Sequence, residues 1–164
     1  MSLVPRLGAA LIAGAFATYV MDVLGEAMYA RQSDASKKRE ADVEPKSALS
    51  VLAERILRRD GAEPTDDAIK TLGNQIHWAF GTGNGLAYAL VDRVVPMISK
   101  TLGVPFALGL FAFDELGLPL FHLAPPPQAF PGETHERSLL DHLAYGAVLA
   151  VTYRGLTHLG SSKG

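Results

Sequence analysis

Five ionisable side chains stand in segments of this chain that are otherwise apolar: Asp22, Glu26, His77, Glu115 and His142. In the first such segment Gly14, Thr18, Asp22 and Glu26 recur every four residues, one stripe of a helix that turns polar toward its end. In the second, His77, Gly81, Asn84, Gly85 and Tyr88 share a face. Glu115 lies in the third, with His122 seven residues on, and His142 lies in the fourth, seven residues after His135. Helices that turn these stripes inward would gather carboxylates and imidazoles in one interior. Such a set can relay protons, because imidazole titrates near neutrality and burial raises a carboxylate pKa. Glu and His projecting from several helices can also hold a metal or a haem. The commoner use is plainer: opposite groups pair and pin helix register.

More specific signatures fail. His135-Glu136 lacks the second histidine of a His-Glu-x-x-His zinc site. Gly81-Thr82-Gly83-Asn84-Gly85 has Leu86 where a dinucleotide loop needs its last glycine, and no strand pattern precedes it. No metal and no cofactor is therefore expected. The chain has no cysteine, which excludes disulfides and thiolate sites. A net charge of -2, with no basic run interleaved with aromatics, argues against a nucleic-acid partner.

The elements that must position these groups come in four apolar blocks, at about 3–28, 66–95, 102–123 and 138–159, in a single domain of 164 residues. Ala15-Phe16-Ala17 has the small-residue form of a signal cleavage site, but apolar character continues to Met21, so a retained helix is expected. Thr65, Asp66 and Asp67 form a helix start, and the uncharged stretch from Thr71 to Val91 is long enough to cross a bilayer core. Gly117 and Pro119 predict a break in the third block. Pro125-Pro126-Pro127 makes a stiff connection to the fourth. Residues 31–64 differ in kind. Gln32 to Glu44 reads as a solvated connector, and Ser47 opens an amphipathic helix with Leu49, Leu52, Ile56 and Leu57 on one side. Gly160 to Gly164 is expected to fray.

Glycine inside the blocks favours lipid over water as their surroundings. An interior glycine costs a water-exposed helix about 1 kcal/mol relative to alanine. Membrane helices use small residues for close backbone approach, and Gly14-x-x-x-Thr18 and Gly81-x-x-x-Gly85 have that spacing, with Gly146 on the fourth block. Leu7 to Met21 carries no charge on any side. The expected fold is an all-α integral membrane four-helix bundle with an amphipathic helix in its first loop. Ten Lys and Arg residues fall in the first and third loops and five elsewhere, which places those loops in the cytoplasm by the positive-inside rule.

The motifs also carry a family resemblance. Gly14 to Met21-Asp22, then His77-x-x-x-Gly81-x-x-x-Gly85-x-x-Tyr88, Asp114-Glu115-x-Gly117-x-Pro119 and Asp141-His142-x-x-Tyr145-Gly146, resemble the YagU-like group of small bacterial inner-membrane proteins of unknown function. The resemblance spans the four apolar blocks and leaves out most of residues 31–64. It implies an inner-membrane location and no established enzyme activity. The leading expectation is a structural or accessory membrane protein, with the lipid bilayer and a homo-oligomer or membrane protein as partners. The alternatives are a proton- or ion-handling protein and, behind it, a metal- or haem-binding membrane enzyme.

Overall fold

The computed structural model describes residues 3–59, 61, 63–95 and 97–161. Its described residues form helices and connections, with no strand. The elements are α1 (Leu3–Arg31), α2 (Asp34–Val43), α3 (Ala48–Arg58), α4 (Asp66–Val94), α5 (Met97–Lys100), α6 (Val104–Ala112), a π-helical turn (Phe113–Gly117), α7 (Leu118–Leu120), a 3-10 turn (Pro127–Ala129) and α8 (Gly132–Ser161). Helix α8 runs through Gly160 and Ser161, where fraying was expected; Ser162, Lys163 and Gly164 lie outside the described residues.

Local chemistry sets the boundaries. Thr65 accepts a hydrogen bond from the Ala68 N–H at 3.3 Å, and Asp66 and Asp67 fill the first turn of α4. The helix stops before Pro96, whose ring disfavours helical backbone at the preceding residue. Leu102 and Gly103 turn the chain into α6 with φ of 52° and 72°, and Pro105 sits in its first turn, where a missing N–H costs nothing. The expected break in the third block takes the form of the π-helical turn at Phe113–Gly117. Such turns concentrate at functional sites.

Helix α1 buries Ala9, Ala10, Ala13 and Ala17, and this stripe of small residues lets two neighbours come close. A Cβ on Gly14 would lie 2.6 Å from the Thr82 carbonyl oxygen, and one on Gly85 would collide with the Ala10 carbonyl. Gly81 makes room for Thr18, whose hydroxyl donates to the Gly14 carbonyl at 2.9 Å. Gly146 faces Ala107, where a Cβ would come within 2.7 Å. These close approaches are all internal to the chain.

Helix α4 packs along α1, α1 along α8, and α8 along α6. Tyr88 of α4 and Phe106 of α6 complete the circuit at one end, ring edge to ring face at 5.4 Å. Tyr88, Tyr145, Leu149 and Tyr153 fill the core there. Toward the other end α4 and α6 part around a cavity.

The polar stretch from Gln32 to Glu44 is not a solvated connector: it contains α2. Ser33 caps this helix by accepting from the Ser36 N–H at 3.3 Å. Its own N–H and hydroxyl both donate to the Glu133 carboxylate, each at 2.7 Å. Arg137 of α8 forks onto Glu40 at 2.7 and 3.2 Å, and Thr134 and Gln32 donate to the same carboxylate at 2.7 and 2.9 Å. A charged sequence with little propensity to bury itself is thus ordered by pairing with another helix. Helix α3 docks similarly, with Arg55 donating to the carbonyls of Phe121, at 3.0 Å, and His122.

Residues Val4–Arg31 form the one described helix long and apolar enough to cross a membrane. The expected third span is interrupted by the π-helical turn, and α8 carries Glu133, Glu136, Arg137, Asp141 and Arg154.

Candidate functional site

The cavity between α4 and α6 has a volume of about 1030 Å³. Its floor includes Thr18 and Met21 of α1 with Tyr145 of α8, and α3 covers it with Leu49 and Leu52. One wall is the α4 face carrying His77, Phe80 and Asn84; the other carries Leu110, Phe113, Asp114 and Glu115. The first turns of α8 add His135, Ser138 and His142. Tyr145 donates to the Gly81 carbonyl at 2.6 Å, fixing α8 against α4 at the cavity floor.

Glu115 belongs to a pair. Its Oε2 lies 2.7 Å from Nδ1 of His135, while His135 Nε2 is 3.0 Å from the Pro127 carbonyl oxygen. A carbonyl only accepts, so Nε2 carries a hydrogen. Nδ1 faces the Glu115 carboxylate in a close ion-pair contact, so the imidazole is held between two acceptors. Both side chains line the cavity, with 31% of His135 and 16% of Glu115 exposed.

His77 Nε2 lies 2.8 Å from Asp22 Oδ1, which joins α4 to α1. His77 lines the cavity; Asp22 stands behind it. His142 donates from Nδ1 to the Ser138 carbonyl at 2.8 Å, which leaves Nε2 as its second site for a proton. Its ring packs edge to face with Phe111. Glu26, on the same stripe as Asp22, is exposed and takes no part in the cavity.

Four of the five residues singled out from sequence thus meet in two direct pairs and one cavity wall, though not in one cluster. Glu115 joins His135, and Asp114 and Glu44 also line the space. The seven-residue spacing of His135 and His142 puts both on one face of α8. Nothing local in Gln32–Glu44 marks Glu44 as a cavity residue.

Electrostatics at the α2–α3 end differ sharply over four residues. Burial raises the Glu44 carboxyl from its ordinary 4.5 to about 7, and the Asp114 charge adds to the rise. Burial acts the same way on Glu40, but hydrogen bonds from Arg137, Thr134 and Gln32 outweigh it and hold that carboxyl below its ordinary value. Glu40 is thus a fixed anion and Glu44 a group that titrates near neutrality.

Among the described residues no three His, Asp or Glu side chains are grouped to hold a metal ion. Comparison with protein-family models, curated proteins and solved structures finds no match, so the YagU-like resemblance stands on its motifs alone.

Proposed function

We propose that the protein is a multi-pass bacterial inner-membrane protein, a four-helix bundle of α1, α4, the α6–α7 unit and α8, that takes up and releases protons at carboxylate–imidazole pairs beside a cavity open to water. The direct contact of Glu115 with His135 in the cavity wall is the observation that carries this reading. A pair that served only to hold helices together would gain nothing from an open cavity beside it. Here water can reach the pair.

Support for lipid around the bundle comes from the outer surfaces. Helix α1 exposes Ile12, Phe16, Tyr19 and Val23, α4 exposes Phe80, Leu90 and Val94, and α8 exposes Leu140, Val151 and Leu159. In water, apolar surface spread over three helices would favour association; in hydrocarbon it is at no disadvantage. The hydropathy of α1 supports the same placement. With α2, α3 and the proline-rich segment at one end, the bias of basic residues puts the cavity mouth on the cytoplasmic side.

The test is proton flux. Purified protein in liposomes loaded with a pH-sensitive dye should dissipate an imposed pH gradient faster than protein-free vesicles, and Glu115→Gln should abolish the difference. Equal rates in wild type and variant would refute the reading.

The accessory-subunit reading keeps one support, the apolar outer face of α1, which suits a partner helix as well as lipid. Its glycines do not help it, because Gly14, Gly81, Gly85 and Gly146 are spent on contacts within the chain. It predicts a reproducible partner or homo-oligomer in mild detergent; a stable solitary monomer would count against it.

A further inference from the structure

We infer that the α4–α6 cavity is a binding site for an amphiphilic organic cation, a protonated amine or similar centre on an aliphatic or aromatic body. This rests on the membrane placement proposed above but not on proton movement. Volume comes first: about 1030 Å³ is ample for a drug-sized molecule, since pockets for such ligands span roughly 300–1,000 Å³.

Charge decides the sign of the occupant. Four carboxylates line the cavity, from Glu40, Glu44, Asp114 and Glu115, against two permanent cations, Lys70 and Arg137. Arg137 is committed to Glu40 and Gln32. Lys70 is exposed at the rim, in the second turn of α4. Neither is hydrogen-bonded to Glu44, Asp114 or Glu115. Asp114 has a single long contact, from the Ser138 hydroxyl at 3.5 Å. Counting permanent charges alone, the inner wall thus offers acceptors to a cation and no Lys or Arg to an anion.

The rest of the lining is apolar and aromatic. Phe80 of α4 and Phe113 of the π-helical turn stack across the gap between the two helices, with centroids 6.3 Å apart and planes 18° from parallel. Both residues are also exposed, at 55% and 42%, where the two helices part. A ligand with an apolar body can enter sideways past two ring faces that attract cations, and seat its charge by Asp114 and Glu115. An extended aliphatic tail would lie along Leu110, Ile76 and Phe80.

Equilibrium dialysis of the purified protein in neutral detergent tests this with a matched pair of probes, tetraphenylphosphonium and tetraphenylborate, alike in shape and opposite in charge. The expected result is saturable binding of the phosphonium, at least tenfold weaker or absent for the borate, and displacement by octylammonium. Asp114→Asn with Glu115→Gln should weaken phosphonium binding at least tenfold, while Glu26→Gln, an exposed acid outside the cavity, leaves it unchanged. Phe80→Ala removes an exposed ring without touching the carboxylates and should weaken binding severalfold, which keeps the test alive if the double variant does not fold. Equal binding of both probes, no saturable binding above the detergent blank, or undiminished binding in folded variants would overturn the inference. Dialysis reads binding alone, so a negative flux assay with positive dialysis removes the proton reading and leaves this one, and the reverse removes only this one.

Discussion

Glu115, on the π-helical turn, and His135, in the first turn of α8, meet with Oε2 and Nδ1 2.7 Å apart. His135 follows the regular spacing of α8, while Glu115 does not follow that of α6. The extra residue of the π turn rotates Glu115 relative to α6, and Pro127 fixes the far side of the imidazole through its carbonyl.

Two residues in such direct contact are energetically coupled. A double-mutant cycle with Glu115→Gln and His135→Gln, read by unfolding in detergent, should give a coupling of about 0.5–3 kcal/mol. Additive effects would mean that the contact contributes nothing to stability.

Glycine contacts make a sharper contrast. Gly85→Ala pushes a methyl group into the Ala10 carbonyl and should cost about 1–3 kcal/mol, seen as a lower Tm. Gly83→Ala, two residues away, meets nothing within 4 Å and should be neutral or raise Tm slightly, by the helix propensity of alanine. Similar losses at both sites would contradict the α1–α4 packing.

Helical content was legible in the chain because the 3.6-residue pattern and the capping residues at Thr65 and Ser47 are local signals. Helix α2 was not, because its order depends on Glu133 and Arg137, about a hundred positions away. The His77–Asp22 pair could be anticipated as two polar stripes facing each other. The Glu115–His135 pair could not, since the π turn changes which face of the third block points inward. The cavity was equally hidden: sequence pattern finds apolar faces but not the place where two of them part.

Arg137→Met should release α2. It leaves the Glu40 carboxylate without its counter-charge, and the loss should be about 1–3 kcal/mol. That is below the 3–5 kcal/mol typical of a fully buried pair, because both side chains keep some contact with solvent. Limited proteolysis should then cut within residues 31–64 much faster than in wild type; an unchanged cleavage rate would contradict the docking. Acid should act in the same direction. Glu40 has a depressed pKa in the folded chain, so its contribution is present above the ordinary carboxylate value and is lost as pH falls through the folded value.

Glu44 should show the opposite sign. Its folded pKa of about 7 stands above the ordinary 4.5, so the stability it lends through the protonated form is complete below 4.5 and disappears as pH rises through about 7. Thermal unfolding in detergent should give a Tm that declines over this window in wild type and declines less in Glu44→Gln. Parallel curves for the two proteins would show that Glu44 is not buried beside Asp114.

The absence of cysteine from the sequence permits the most direct test of lipid contact on the outer faces of α1 and α8. Single cysteines at Ile12 and Val151, both more than half exposed, can be compared with one at Lys38 on α2, using a water-soluble maleimide on inside-out membrane vesicles. Lys38→Cys should label rapidly, while Ile12→Cys and Val151→Cys should label only after detergent is added. Rapid labelling of all three without detergent would place those helices in water and remove the bundle from the membrane.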